Sequence, residues 1–399
     1  MEQQLQDIGW PRAAVQDRYD YIVAGAGCAG LSLLVHLVQS GRLQDKRILV
    51  IDSDLKNRND RTWCFWEKEA GPFQPIVCKE WDQLWFHSNA LSRLLTPAPY
   101  TYKMIRGIDF YHYSRSILAQ HGGISFTRAS IEGMESRPGE TFVQADGQKL
   151  YADYIFNSVP PPQPRLLPHQ YWLLQHFKGW MVETAGAAFS PGVATLMDMR
   201  TCQKNGTAFF YVLPVAPNRA LVEYTVFSKN LLPDTAYEAE LKAYVEGRLQ
   251  LRNYSITEKE FGVIPMTNYS FPSSQGNILH IGTAGGQTKG SSGYTFRFIQ
   301  KQSAAMVQHL VRTGTPFSPR SSPRFHFYDS VLLNILDKNS LPGDRIFAQL
   351  FRRNPTPRVL KFLDNETSLP EDLRLLCTLP TFPFFRSAVQ HLWAHAGGQ

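Results

Sequence analysis

Gly25, Gly27 and Gly30 stand in a G-x-G-x-x-G spacing directly behind a short apolar run that begins at Asp20. That spacing suits a phosphate-bearing dinucleotide. The first glycine permits a tight turn, the second lets a pyrophosphate approach the backbone, and the third lets helix and strand pack closely. Ala29 lies in the same turn. A second apolar run, Arg47 to Ile51, ends at Asp52, 22 residues after Gly30. This is where a carboxylate meets a ribose hydroxyl. The other reading is an ordinary strand–helix turn with glycines for packing.

Glu223 is the second group with chemical capacity. It interrupts the apolar run Ala220 to Phe227. In an extended strand Leu221, Glu223 and Thr225 share one face, and Val222, Tyr224 and Val226 share the other. Periodicity alone reads this glutamate as solvent-facing on a half-covered sheet. If buried instead, it would be held protonated and could act as an acid.

These groups need elements to position them. Residues 19–52 read as β-α-β, with Leu31, Leu34, Val35 and Val38 on one helix face. A loop, Asp60 to Trp66, follows with three aromatics beside Arg61. Residues 102–120 read as connector and helix, and short strands near 124, 141 and 154 return to the nucleotide unit. Asp146-Gly147 signals a hairpin, and the prolines at 160–162 and 164 mark a boundary. Five strands and one helix between 170 and 270 suggest a separate antiparallel sheet with one covered face. A strand at 277–281, a glycine turn at 282–286 and a helix from Tyr294 to Val311 then offer a second contact for one long cofactor. That split arrangement favours FAD over NAD.

The expected fold class is α/β, with a Rossmann-type FAD-binding domain split in sequence, an antiparallel β-sheet substrate domain and a helical C-terminal region. The expected boundaries are 1–18 for a polar tail, 19–160 and 273–312 for the FAD domain, 165–272 for the substrate domain, and 313–399 for the basic C-terminal region.

Bulk properties narrow the function classes. The 399 residues are 43% hydrophobic and 19% charged, and aromatics reach 13%. The five cysteines, at 28, 64, 78, 202 and 377, have no paired or metal spacing. They read as free thiols in a reducing, cytoplasmic compartment, and no metal site is expected. Net charge is +7, with nine basic and three acidic residues between Arg312 and Lys361. With no nucleic-acid motif, an anionic membrane surface is the better functional reading of this region, against a merely solvated face. The tail from Thr381 to Trp393 mixes bulky aromatics with Arg386 and His391, as an interfacial helix does. No stretch is long and apolar enough to span a bilayer. Ser368 to Glu371 has the spacing of a capping box.

Several stretches together resemble the flavoprotein lycopene cyclases of carotenoid biosynthesis. They are Asp20 to Gly30, Arg61 to Trp66, Met197-Asp198, Tyr211 to Thr225, Gly262 to Thr267, Gly282 to Tyr294, and Phe362 to Ser368. The fingerprint is common to many flavoproteins, whereas 211–225 and 282–294 are far more specific. The resemblance implies an intramolecular lyase that cyclises the linear ends of lycopene to β-rings without net redox change. It implies reduced FAD as the active cofactor, NAD(P)H as reductant, a lipid-dissolved carotenoid substrate and peripheral membrane attachment.

In that setting Glu223 becomes the expected acid, with Asp198 as a second catalytic candidate. Gly25, Gly27, Ala29, Gly30, Asp52, Arg61, Gly282, Ala284, Gly285 and Gly286 are the expected cofactor contacts, and Lys289 could join them. Trp63, Trp66, Phe210, Tyr211, Tyr224 and Tyr294 are the expected pocket and cation-facing aromatics. Related flavoproteins leave two rival readings: a FAD-dependent monooxygenase or isoprenoid reductase, and a non-catalytic carotenoid-binding flavoprotein. The sequence leaves the oligomeric state open.

Overall fold

The computed structural model describes residues 18–41, 45–319 and 322–396. The expected polar tail lies outside the described residues, except that Arg18 opens the first strand. The chain begins with β1 (Arg18–Ala24), α1 (Cys28–Gln39) and β2 (Ile48–Asp52). Val23 pairs with Val50 in parallel, and both faces of these strands are buried, as central parallel strands require.

The next segment departs from expectation. The aromatic stretch expected as a loop is a strand, β3 (Thr62–Glu67). It pairs with β7 (Thr101–Arg106), which also takes β4 (Lys79–Trp81), forming a three-stranded sheet. Between them β5 (Leu84–Ser88) and β6 (Leu91–Leu95) leave this neighbourhood. β5 joins the second large sheet through a parallel pairing with residues 194–198. Thus residues 84–95, expected within the FAD portion, hydrogen-bond into the second sheet, whose other strands were expected to form the substrate domain. Local pattern could not show this, because the partner lies more than a hundred residues away.

The chain then returns through α2 (Gly107–Leu118), β8 (Ile124–Arg128), β9 (Ile131–Arg137), β10 (Glu140–Ala145) and β11 (Gln148–Asn157). Asp146 and Gly147, both at positive φ, make the two-residue turn between β10 and β11, the geometry that a twisted hairpin favours.

The second sheet comprises β12 (Trp172–Thr184), β13 (Ala194–Asp198), β14 (Thr207–Ala216), β15 (Arg219–Ser228) and, beyond α3 (Asp234–Ala243), β16 (Tyr254–Thr267). Its strand order is β16-β12-β15-β14-β13-β5-β6. Only the β13–β5 pairing is parallel. α3 covers one face, where Trp180, Phe210, Val222, Tyr224, Tyr237 and Tyr244 form a core. The opposite face joins a larger core with the three-stranded sheet and the C-terminal helices, including Leu213, Leu221, Tyr102 and Phe351.

β17 (Ser274–Gln275) and β18 (Ile278–His280) lead back to the first sheet, where β18 lies parallel to β11. α4 (Phe296–Thr313) packs beside α1. Among the described residues five helices follow: α5 (Pro323–Asp337), α6 (Gly343–Arg353), α7 (Thr356–Leu363), α8 (Leu369–Leu376) and α9 (Thr381–Ala396). The capping box expected at Ser368 and Glu371 is present at the start of α8. Mixed α/β layers with a helical C-terminal region are the fold class expected from the sequence.

Candidate active site

One cavity of about 670 Å3 runs from the glycine turn to the second sheet. At its nucleotide end lie Gly25, Gly27, Ala29, Asp52 and Arg61. Gly25 has φ +103°, a conformation that excludes most side chains. Gly27 starts α1, and a Cβ there would meet nothing within 4 Å. No side chain caps α1, so its first N–H groups remain available to an anion. Asp52 accepts the Ala26 N–H at 2.7 Å and the Asp54 N–H at 2.8 Å, which fixes the carboxylate at the edge of the cavity.

At the other end the lining turns apolar, with Leu174, Phe177, Leu213, Leu221, Val263 and Phe271. Glu223 projects among them. Thr225, two residues on and on the same face, donates a 2.7 Å hydrogen bond to Glu223 Oε1. Glu223 retains some accessible surface because the cavity reaches it. It nevertheless lies deep in the protein, and burial raises its carboxyl well above the usual value of 4.5. The Glu260 carboxylate adds to this rise. Burial also raises Glu260, against a hydrogen bond from the Thr62 hydroxyl at 2.8 Å. Among the described residues neither carboxyl has an ion-pair partner within 4.0 Å. Burial and the neighbouring carboxyl therefore favour the protonated, neutral form of Glu223 at this apolar end of the cavity.

A sequence profile described as lycopene cyclase protein matches residues 20–389. The chain belongs to the lycopene cyclase family. A lycopene beta-cyclase of Pantoea ananas is 26% identical over 265 residues, which cover 63% of this chain and 64% of that relative's length. Among solved structures, a geranylgeranyl bacteriochlorophyll reductase-like protein from Thermoplasma acidophilum is similar with a TM-score of 0.57 and 11% identity. That match covers 94% of this chain and 99% of the other. A flavoprotein/dehydrogenase from Cytophaga hutchinsonii gives 0.59 at 8% identity, over 96% and 100% of the two chains. A flavin-dependent brominase gives 0.57 at 11% identity, over 95% and 100%. At these identities the likeness is one of fold.

In this cyclase-family chain the expected site residues divide. Glu223, Trp63, Tyr211 and Tyr294 line the cavity together with Gly25, Gly27, Ala29, Asp52 and Arg61. Arg61 also pairs with Asp60 at 2.9 Å. Trp66 sits one layer back, edge-on to the Tyr294 ring at 4.6 Å. Gly30 serves packing, because a Cβ there would lie 2.1 Å from the Gly25 carbonyl oxygen.

Asp198, Phe210 and Tyr224 fall outside the cavity. Phe210 pairs with Tyr224 on β15 and with Asp198 on β13, so all three share the α3 face, opposite Glu223. Phe210 stacks on Tyr244 at 3.8 Å. Asp198 receives Arg200 Nε and Nη2 at 2.8 and 2.7 Å, and the Tyr244 hydroxyl at 2.9 Å. Burial pushes its carboxyl up, but the Arg200 guanidinium and backbone N–H and the Tyr244 hydroxyl outweigh burial and hold it below 3.8. It is a structural ion pair, not a proton donor to the cavity.

The second glycine turn also differs from expectation. Gly282, Ala284, Gly285 and Gly286 do not line the cavity, whereas Thr283, Gly293, Thr295 and Phe296 do. Gly282 allows close packing on α1, since its Cβ would lie 2.5 Å from that of Ala29. Lys289 is buried against Asp329 at 2.6 Å and Asn365 at 2.9 Å, which leaves no phosphate role for it.

Sequence reasoning missed Glu260, Thr62 and Gly179. Glu260 ends a charged run, Glu258-Lys259-Glu260, that looks solvated. The isolated Gly179 inside the long strand β12 was the available signal, because such a glycine marks a close approach.

Proposed function

We propose that the protein is a lycopene β-cyclase, converting linear lycopene ends to β-ionone rings by acid–base chemistry with no net redox change. The observation that carries this reading is the placement of Glu223, a carboxyl with no ion-pair partner among the described residues, at the apolar end of a cavity whose other end is a dinucleotide cradle, in a chain of the lycopene cyclase family.

FAD suits the residues at that cradle. Gly27 leaves open space, the α1 N-terminus is uncapped, and Asp52 stands at the edge where a ribose would lie. Once reduced, with NAD(P)H as the electron source, the flavin would supply an electron-rich ring system to a developing cation. The remaining chemistry belongs to the chain. Glu223 donates its proton to the terminal double bond, and that π pair forms the new C–H bond. The positive charge falls on a tertiary carbon. The π pair of the next double bond forms a C–C bond to that carbon, which closes the ring and leaves the positive charge on the other carbon of that double bond. Loss of a neighbouring proton to the Glu223 carboxylate restores a double bond, so acid and formula are both regenerated. Trp63, Tyr211 and Tyr294 line the cavity, and an aromatic face turned to the cation would stabilise it by roughly 2 kcal/mol where water is excluded. Leu213, Leu221 and Phe177 keep that water out.

A lipid-borne substrate calls for a membrane-facing surface, and α9 offers one. Phe382, Phe385 and Trp393 are 74%, 66% and 78% exposed and fall on one side of the helix at 3.6 residues per turn. Leu369 and Leu373 on α8 add to the exposed apolar surface, with Arg374 and Arg386 available for anionic headgroups. No helix among the described residues is long and apolar enough to cross a membrane. The proposed attachment is peripheral, from the cytoplasmic side.

Expression in lycopene-accumulating cells, wild type beside Glu223→Gln, tests the assignment. A ringed product of unchanged mass from wild type alone is expected. A changed mass would point to a monooxygenase or reductase. Pigment retained unaltered by a folded, flavin-loaded protein would point to a carotenoid carrier.

A further inference from the structure

Glu223 on β15, Gly179 on β12 and Glu260 on β16 lie in one cross-strand register. Direct cross-strand partners share a face of the sheet, so both carboxyls project to the same side with β12 between them. The outer strands stand about 9.5 Å apart, twice the usual strand spacing. A side chain on the central strand would separate the two acids, but position 179 is glycine. A Cβ there would lie 2.8 Å from Glu260 Cγ and 3.1 Å from Glu260 Oε1, so the Glu260 side chain occupies the space above the glycine. Thr62 holds Oε2. Among the described residues no N–H or alcohol donates to the buried Oε1, which leaves the Glu223 carboxyl as the group able to donate to it.

We propose that Glu223 and Glu260 share one proton across Gly179, with Glu260 as the positioning residue that keeps Glu223 a carboxylic acid. The role assigned to that acid rests on the cyclase reading; the shared proton itself does not. Glu223 faces the cavity and Glu260 stands behind it, so only Glu223 meets the substrate. The other titratable groups around the pair are Cys64 from β3, Tyr211 from β14 and Tyr294 from the segment before α4. Glu258 and Arg61 act on Glu260 from the rim. Cys64, Tyr211 and Tyr294 are all raised, primarily by burial, and stay neutral near pH 7.

The Glu260 anion has two consequences for turnover. It opposes loss of the Glu223 proton to water, because two adjacent carboxylates would repel. Once that proton has moved to the alkene, the paired negative charges face a carbocation, and the proton returns to Glu223 when the ring double bond forms. No oxidant or reductant is consumed.

Glu260→Gln keeps the shape and the Thr62 bond but removes the charge. In the full-length, FAD-loaded protein, the infrared carboxylic-acid band that Glu223→Gln abolishes should titrate about 1–3 pH units lower in Glu260→Gln. The alkaline limb of cyclisation should shift in the same direction, with activity regained at lower pH. Gly179→Ala should move the band the same way by forcing the acids apart. An unmoved band in folded, flavin-loaded Glu260→Gln would overturn the shared proton. A shifted band with no ringed product from wild type would instead support the shared proton and overturn the cyclase assignment.

Discussion

Glu223 and Asp198 sit on opposite faces of the same sheet, both deep in the protein, and their carboxyls are displaced in opposite directions. On the α3 face, Asp198 meets Arg200 in a two-pronged ion pair and accepts from Tyr244. On the cavity face, Glu223 meets Thr225, apolar side chains and a second carboxyl. Burial raises both; a cation and its hydrogen bonds reverse the shift for one, while a like charge reinforces it for the other. The contrast teaches that depth alone does not make an acid. The partner that shares the depth decides.

The largest effect expected from disturbing this contrast is at Glu223. Glu223→Gln should lower cyclisation by on the order of 10²–10⁴-fold, the range for loss of a general acid, measured as ringed product formed with flavin bound. Wild-type activity should fall as pH rises through the elevated Glu223 value, because the acid must hold its proton.

Asp198→Asn should act on stability instead. Stripping one partner from a buried, hydrogen-bonded pair costs about 3–5 kcal/mol. Because Arg200 keeps some exposure, the lower end, about 3 kcal/mol, is expected in denaturant unfolding, with cyclisation per folded molecule little changed. The sign with pH is opposite to that at the acid. A carboxyl held below 3.8 contributes fully above that value and loses its contribution as pH falls through the lower folded value. The gap between wild type and Asp198→Asn should therefore narrow in acid. A large activity loss in well-folded Asp198→Asn would break the comparison.

Smaller effects define its edges. Replacing Phe382, Phe385 and Trp393 together by Ser should move the protein from the membrane to the soluble fraction while leaving flavin binding intact; unchanged partitioning would remove α9 as the attachment. Ser368→Ala should cost only about 1 kcal/mol by opening the α8 cap, and should leave the pH profile of cyclisation unmoved.

Much of this was legible in the sequence where the cause is local. The glycine turn, Asp52, the Asp146-Gly147 hairpin and the Ser368 cap each follow from residues a few positions apart. Glu223 stood out because one charge interrupts an apolar strand, but periodicity alone reads it as solvent-facing, and its place in a pocket was an expectation of the family resemblance. The alternation that put Glu223 beside Leu221 also put Tyr224 on the other face. Placing Phe210 and Tyr224 in the pocket set that alternation aside in favour of aromatic character. Glu260 was not legible, because its run looks solvated until β16 pairs with β12 and a distant glycine makes room for it. The β5–β13 pairing was hidden for the same reason: register between remote strands is set by tertiary packing, not by either segment alone.

That pairing bears on the order in which the molecule can be built. The cofactor cradle takes Gly25 and Asp52 from the start of the chain and Gly293 to Phe296 from far along it. Between them β12 to β16 complete a different sheet, into which β5 and β6 are already woven. A ribosome must therefore release the chain through Phe296 before both walls of the cradle exist. A nascent chain halted before α4 should hold no flavin, and the cofactor is expected to enter as one of the last events of assembly.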